Sequence, residues 1–238
     1  MEVTKVLAFT RCVDLTTLNR DTDSNEVVAE LCRQAVEFQV AAVCVYPEFV
    51  SVAKTSLPAA SQVRVASVAN FPTGDEPLQE ILQEIDLIVS TGGDEIDLVF
   101  PYRRFAMGDI EYCSQVVGTV RKYLPNKILK VILESGELTL DQVQQACRLC
   151  IALGADFIKT STGKTKVGAT LDAARVILTE IQATHHQSTV GFKVSGGIKT
   201  ISQALAYANL AEEVWGQVSP QRFRIGASSL LAEVRPYL

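Results

Sequence analysis

Two lysines stand where lysine is costly. Lys159 lies in Asp156-Phe157-Ile158-Lys159-Thr160-Ser161-Thr162-Gly163-Lys164, and Lys193 lies in Gly191-Phe192-Lys193-Val194-Ser195-Gly196-Gly197. Each closes a short apolar run, and each is followed by glycine. Burying an ammonium among strand-forming residues carries a desolvation penalty, so a chain that does it twice has a use for the amines. A lysine attacks a carbonyl only when neutral. Its ordinary pKa is ~10.4 and useful basicity lies near ~7–8, so a shift of about 3 units, or ~4 kcal/mol, is required. A second ammonium ~5 Å away at an effective dielectric of ~20 supplies roughly 3 kcal/mol, and partial desolvation supplies the rest. Two lysines on neighbouring strands can therefore make one of them nucleophilic, with a carboxylate such as Asp97 moving protons. The competing possibility is that both form structural ion pairs with inward carboxylates.

Glycine-rich turns add a substrate clue. Gly196-Gly197 follows the seventh strand-like run, and Gly226-Ala227-Ser228-Ser229 follows the eighth and opens a helical pattern. Loop amides and a helix N-terminus at such places bind phosphate, and the serines add hydroxyl donors. Ordinary turn glycines and serine N-caps would look the same. Ser161-Thr162-Gly163-Lys164-Thr165 superficially suggests a nucleotide P-loop, but the required first glycine would fall at Ile158, which excludes it.

The elements that must position these residues alternate along the chain. Strand-like runs are predicted at Cys12–Leu15, Ala41–Tyr46, Val63–Val68, Glu95–Phe100, Ile128–Glu134, Asp156–Thr160, Val190–Val194 and Phe223–Ile225. Helical patterns separate them at Asn25–Phe38, Glu48–Ser56, Pro77–Ser90, Ile110–Tyr123, Leu140–Leu153, Leu171–Ala183, Ile201–Glu213 and Ser228–Val234. Eight such pairs with short connections predict an α/β fold, a single (β/α)8 TIM barrel over residues 1–238. A doubly wound open sheet is the alternative, weakened by the missing GxGxxG and the even strand count.

Strand parity sharpens the placement, because successive side chains point to opposite faces. Ile96, Leu98 and Phe100 share one face of the fourth strand, and Glu95, Asp97 and Val99 the other. In the fifth, Leu129, Val131 and Leu133 oppose Lys130, Ile132 and Glu134. With the apolar faces under the helices, Asp97, Lys130 and Glu134 point inward, and Asp97, Lys159 and Lys193 converge near the C-terminal mouth. Lys130 and Glu134 are expected as charged supports below Asp97, with Lys130 paired to it.

Composition sets the outer bounds. The 238 residues are 47% hydrophobic, enough for one sizeable core, and the net charge of −5 argues against nonspecific nucleic-acid binding. Five of the ten lysines nevertheless fall between Lys159 and Lys199, a local cationic pole. No apolar stretch approaches the ~20 residues of a membrane span, and Met1-Glu2-Val3-Thr4-Lys5 lacks the pattern of a signal peptide. The six cysteines read as small buried hydrophobes. Cys147 and Cys150 form a CxxC inside a helical pattern, with no second pair to complete a zinc site. His185 and His186 are adjacent in a polar stretch and read as solvated. A reducing cytoplasm is the expected location.

Segments spanning nearly the whole chain resemble deoxyribose-phosphate aldolases, a class I aldolase family on a (β/α)8 barrel. They are Asp14-Leu-Thr-Thr-Leu-Asn19, Ala42-Val-Cys-Val-Tyr-Pro47, Asn70-Phe-Pro72, Asp94-Glu-Ile-Asp-Leu-Val-Phe-Pro-Tyr-Arg103, Lys130-Val-Ile-Leu-Glu-Ser-Gly-Glu137, Gly154-Ala-Asp-Phe-Ile-Lys-Thr-Ser-Thr-Gly-Lys164, Gly191-Phe-Lys193 with Gly196-Gly197, and Phe223-Arg-Ile-Gly-Ala-Ser-Ser-Leu-Leu231. The resemblance implies reversible cleavage of 2-deoxy-D-ribose 5-phosphate to D-glyceraldehyde 3-phosphate and acetaldehyde, in deoxyribonucleoside and deoxyribose phosphate catabolism. It implies Lys159 as the Schiff-base lysine, Lys193 as the residue that lowers its pKa, and Asp97 as the proton donor and acceptor, acting through a water. It places Gly163, Lys164, Gly196, Gly197, Gly226, Ser228 and Ser229 around the phosphate, and Asp14, Leu18, Cys44 and Thr162 along the sugar. No metal or other cofactor is expected, since the iminium serves as the electron sink.

Two departures stand out. The seventh strand reads Lys-Val-Ser-Gly-Gly-Ile-Lys where many relatives have Lys-Pro-Ala-Gly-Gly followed by Ile or Val and Arg. Some relatives end in a tail whose tyrosine assists proton transfer, and Tyr237 is not assigned that role. A transaldolase-like or keto-acid Schiff-base aldolase, a catalytically silent phosphosugar-binding barrel, and a barrel isomerase using lysine only as an acid are the competing functions. On base rates a homodimer is the assembly to test.

Overall fold

The computed structural model describes residues 9–186 and 188–237, apart from the side chain of Tyr237. Met1–Lys5, read above for a signal peptide, lie outside the described residues. Eight parallel strands close on themselves: β1 (Val13–Thr16), β2 (Ala42–Val45), β3 (Arg64–Ala69), β4 (Glu95–Val99), β5 (Ile128–Ile132), β6 (Phe157–Lys159), β7 (Gly191–Ser195) and β8 (Phe223–Ala227), with β8 pairing back to β1. Around them run α1 (Asn25–Glu37), α2 (Val50–Ser56), α3 (Leu78–Ser90), α4 (Tyr102–Ala106), α5 (Ile110–Tyr123), α6 (Leu140–Ala152), α7 (Leu171–Ala183), α8 (Ile201–Trp215) and α9 (Leu230–Val234). This is the (β/α)8 barrel predicted from the alternation.

Local chemistry fixes several helix starts. Thr139 and Thr200 each form a capping box, with Gln142 and Gln203 reaching back to the cap, and Ser24, Asp109 and Thr170 accept backbone amides at their own helix starts. The apolar strand faces lie where parity put them: Ile96, Leu98, Leu129 and Val131 are fully buried in the core between sheet and helices. Cys147 and Cys150 belong to the same core, and His185 and His186 are exposed. Among the described residues, no helix is long and apolar enough to cross a membrane.

Several element ends differ from the predicted ones by one or two residues, and one short helix is new. Helix α4 was not expected: five residues are too few to show a helical period, and its anchor is tertiary, an edge-on contact between Phe105 and Phe100 with ring centres 5.2 Å apart. Strand β5 stops at Ile132 rather than Glu134, because Glu134 adopts a left-handed backbone (φ 53°) and leads into a short 3-10 turn at Ser135–Glu137.

Candidate active site

The barrel interior is charged where such barrels usually carry branched aliphatics. In register, Asp97 pairs with Lys130, and Lys159 pairs with both Ile132 and Lys193. One carboxylate lies at the centre. Asp97 Oδ2 accepts from Lys159 Nζ at 2.7 Å and from Lys193 Nζ at 2.8 Å, while Oδ1 accepts from Lys130 Nζ at 2.7 Å. Lys193 also donates to Asp14, whose other oxygen accepts from Arg224 at 2.7 Å. Lys130 lies 2.6 Å from Glu95, and Arg224 reaches Glu95 at 3.2 Å. The expected Lys130–Asp97 pair is therefore present.

These contacts separate the two lysines electrostatically. Burial opposes the charge on both. For Lys193, Asp14 and Asp97 outweigh burial and hold the ammonium on, so its pKa is raised. For Lys159, burial is the largest influence and Lys193 adds to it, outweighing Asp97, so its pKa is lowered. A bond to Asp97 does not lock Lys159 as a cation, because that carboxylate is already shared with Lys130 and Lys193. Burial would raise Asp97 itself, but Lys130, Lys159 and Lys193 together hold it well below the usual carboxylate range. Desolvation, rather than the second ammonium expected from the sequence, is the larger cause.

Of the two buried lysines, Lys159 is the one that borders open space. A cavity of about 460 Å³ opens at the C-terminal mouth, and Lys159, 3% exposed, lines it, whereas Lys193 and Asp97 are wholly buried and do not. Of the expected substrate residues, Leu18 and Thr162 line it, as do Gly163, Lys164, Gly196, Gly197, Gly226 and Ser228. Gly196 and Gly197 both have left-handed backbones (φ 91° and 89°). A side chain at Gly226 would approach Ser195 Cβ to 2.9 Å and Lys193 Cε to 3.3 Å, so glycine there makes room for Lys193.

Four expectations are corrected. Asp14 does not line the cavity: it is fully buried, bonded to Lys193 and Arg224. Cys44 is likewise buried and outside the cavity lining, its thiol pushed up by burial. Ser229 is exposed at the start of the five-residue α9, away from the cavity lining. Glu134 is not a support below Asp97. Because β5 ends two residues earlier, its carboxylate lies at the mouth and accepts from Thr162 N, Thr162 Oγ1 and Thr165 Oγ1, holding the loop that follows Lys159.

Sequence reasoning missed Arg224 and Glu95. Their signal was parity: Arg224 alternates with Phe223 and Ile225, and Glu95 shares a face with Asp97. It also passed over Thr16, Asn19 and Lys199 in the cavity wall. The variant seventh-strand motif has a visible role. Ser195 donates to the Ser161 carbonyl, and its backbone amide donates to Thr160 Oγ1 at 3.0 Å, tying β7 to the loop beyond Lys159.

The chain is similar to known proteins over nearly its whole length. A family model described as DeoC/LacD family aldolase matches residues 9–234. A Coccidioides immitis protein, provisionally named a deoxyribose-phosphate aldolase, is 29% identical, with a TM-score of 0.86 over 97% of this chain and 86% of that one. QR15, described as an aldolase, is 27% identical, with a TM-score of 0.83 over 96% of this chain and 95% of that one. The deoxyribose phosphate aldolase of Aeropyrum pernix, described as having a unique tetrameric structure, is 22% identical with a TM-score of 0.81 over 98% and 92%, a likeness of fold alone. With its closed barrel, its lysine at the cavity floor and a family match over nearly its whole length, the chain belongs to the DeoC/LacD family of aldolases.

Proposed function

We propose that this aldolase cleaves 2-deoxy-D-ribose 5-phosphate reversibly to D-glyceraldehyde 3-phosphate and acetaldehyde through a Schiff base on Lys159. The carrying observation is that Lys159 and Lys193 share one oxygen of Asp97, while only Lys159 reaches the cavity. The neutral Lys159 amine adds to C1 of the open-chain sugar, and loss of water gives the iminium. Removal of the proton from the C3 hydroxyl breaks the C2–C3 bond, releasing glyceraldehyde 3-phosphate. The bonding pair passes into the iminium as an enamine. Protonation of C2 and hydrolysis return acetaldehyde and the free amine. Asp97 lies beneath the cavity lining, so it takes part through the lysines bonded to it or a water, rather than by touching the sugar.

Lys164 stands in the wall with Gly163, Gly196, Gly197 and Ser228, a group of amides, hydroxyl and ammonium suited to a phosphate. Lys164→Met is expected to raise KM for the phosphorylated sugar about tenfold with kcat little changed, and to leave turnover of unphosphorylated 2-deoxyribose unaffected. Equal effects on both substrates would remove the phosphate assignment.

The decisive test is borohydride reduction with acetaldehyde followed by peptide mapping, alongside assays with acetaldehyde, dihydroxyacetone and pyruvate as donors. A reduced adduct at Lys159 and turnover with acetaldehyde alone are expected. An adduct elsewhere, or a ketone donor preferred, overturns the proposal.

A further inference from the structure

Every strand other than β6 sends a charged or titratable side chain toward the group around Lys159. These are Asp14 from β1, Cys44 from β2, Arg64 from β3, Glu95 and Asp97 from β4, Lys130 from β5, Lys193 from β7 and Arg224 from β8, with Glu134 just past β5. Apart from Lys159, the buried ion-paired set holds three carboxylates (Asp14, Glu95, Asp97) and three cations (Lys130, Lys193, Arg224). That set is neutral. A proton on Lys159 would add a fourth positive charge with no fourth carboxylate in contact. Arg64 meets Glu95 at 3.6 Å from the solvent side, with 53% of its side chain exposed, so water screens it. Glu134 accepts from neutral donors, and burial pushes its pKa up.

Glu95 and Arg224 touch neither Lys159 nor the cavity. Glu95 bonds Lys130, which bonds Asp97, which bonds Lys159; Arg224 bonds Asp14, which bonds Lys193. They carry opposite charges, Glu95 three contacts from the reacting amine and Arg224 four, through Asp14, Lys193 and Asp97. We propose that Glu95 and Arg224 are positioning residues for the aldolase reaction, an opposed buried pair in which Arg224 favours and Glu95 opposes the unprotonated Lys159 amine, so that loss of either one alone upsets the setting that the two hold in balance. The proposal rests on Lys159 being the nucleophile, and it extends the machinery to two residues outside the substrate cavity.

Opposite charges make opposite demands, which a purely structural role does not. A unit charge removed roughly 8 Å away, at an effective dielectric of about 40, moves a pKa by about 0.8 unit. E95Q leaves the set net positive, so the midpoint for Lys159 falls. R224Q leaves it net negative, so the midpoint rises. R224K keeps the charge and the midpoint, and E95Q/R224Q returns close to wild type because the set is neutral again.

The measurement is the pH dependence of the rate at which Lys159 is trapped by borohydride with acetaldehyde, with melting temperatures recorded in parallel. Expected are shifts of about 0.8 unit, downward for E95Q and upward for R224Q, with R224K unshifted and the double variant restored. A structural role predicts lower melting temperatures for both single variants with unmoved midpoints. Shifts in the same direction, or none, overturn the inference. If R224Q does not fold, E95Q decides alone: a midpoint at or above wild type is fatal. Absence of any adduct at Lys159 in the unaltered enzyme instead removes the Schiff-base function.

Discussion

Lys159→Met is expected to lower turnover by at least about four orders of magnitude and to abolish the borohydride adduct, while leaving the protein folded and more stable at neutral pH. The first half follows from chemistry: without the amine no iminium forms, and the electrons of the breaking C2–C3 bond have no sink. The second half follows from linkage. Lys159 has a folded-state pKa below its ordinary 10.5, so the unfolded chain binds the extra proton more readily than the native one. The resulting penalty on folding is fully present below the folded pKa and disappears as pH rises to 10.5. Methionine has similar length and carries no such penalty. Asp97 still keeps two of its three ammonium partners. The variant should therefore melt higher than wild type near pH 7, with the difference closing toward pH 10. Thermal denaturation across that range checks it. A variant less stable than wild type at pH 7 would mean that Lys159 is a structural cation.

Much of this geometry was legible as alternation in the sequence. Parity in β4 and β5 separated Asp97 and Lys130 from Ile96, Leu98, Leu129 and Val131, and the structure has them on opposite faces. Parity gives a direction and no height, which is why Glu134 was misplaced; Asp14 and Cys44 were placed by resemblance alone, and both are buried outside the cavity lining. Glu134 belongs to the correct face of an imagined longer strand, but the chain turns left-handed there, and its carboxylate finds Thr162 and Thr165. Arg224 went unread because an arginine between Phe223 and Ile225 looks like an ordinary surface alternation. Only barrel closure, which pairs β8 with β1, brings it to Asp14. The proposed nucleophile was already a candidate from the run that ends at Lys159, but the feature that sets Lys193 apart from it was not legible. It depends on Asp14, 179 positions away in sequence.

That difference yields the second large effect. Lys193→Met removes a charge whose nitrogen shares an Asp97 oxygen with Lys159, holding the two amines roughly 5 Å apart or closer. Two consequences add. Lys159 loses a like charge worth roughly 3 kcal/mol at an effective dielectric of ~20, and it gains a larger share of Asp97. Its pKa rises by about 2 units, so about a hundredfold less neutral amine is present at pH 7. Loss of a buried ammonium that can pass protons through Asp97 costs about another factor of 10². Lys193→Met should therefore lose roughly 10⁴ in kcat/KM at pH 7, and its rate should climb about tenfold per pH unit well above neutrality. Arg224 continues to neutralise Asp14 and Lys130 continues to neutralise Asp97, so the variant stays folded, destabilised by about 3 kcal/mol. The pH slope separates this from simple damage to the barrel. A partly unfolded enzyme loses rate by the same factor at every pH, whereas an enzyme with an over-protonated nucleophile recovers in base. If Lys193→Met is trapped by borohydride as fast as wild type at pH 7, the neutral state of Lys159 owes nothing to its neighbour, and desolvation alone carries the reaction.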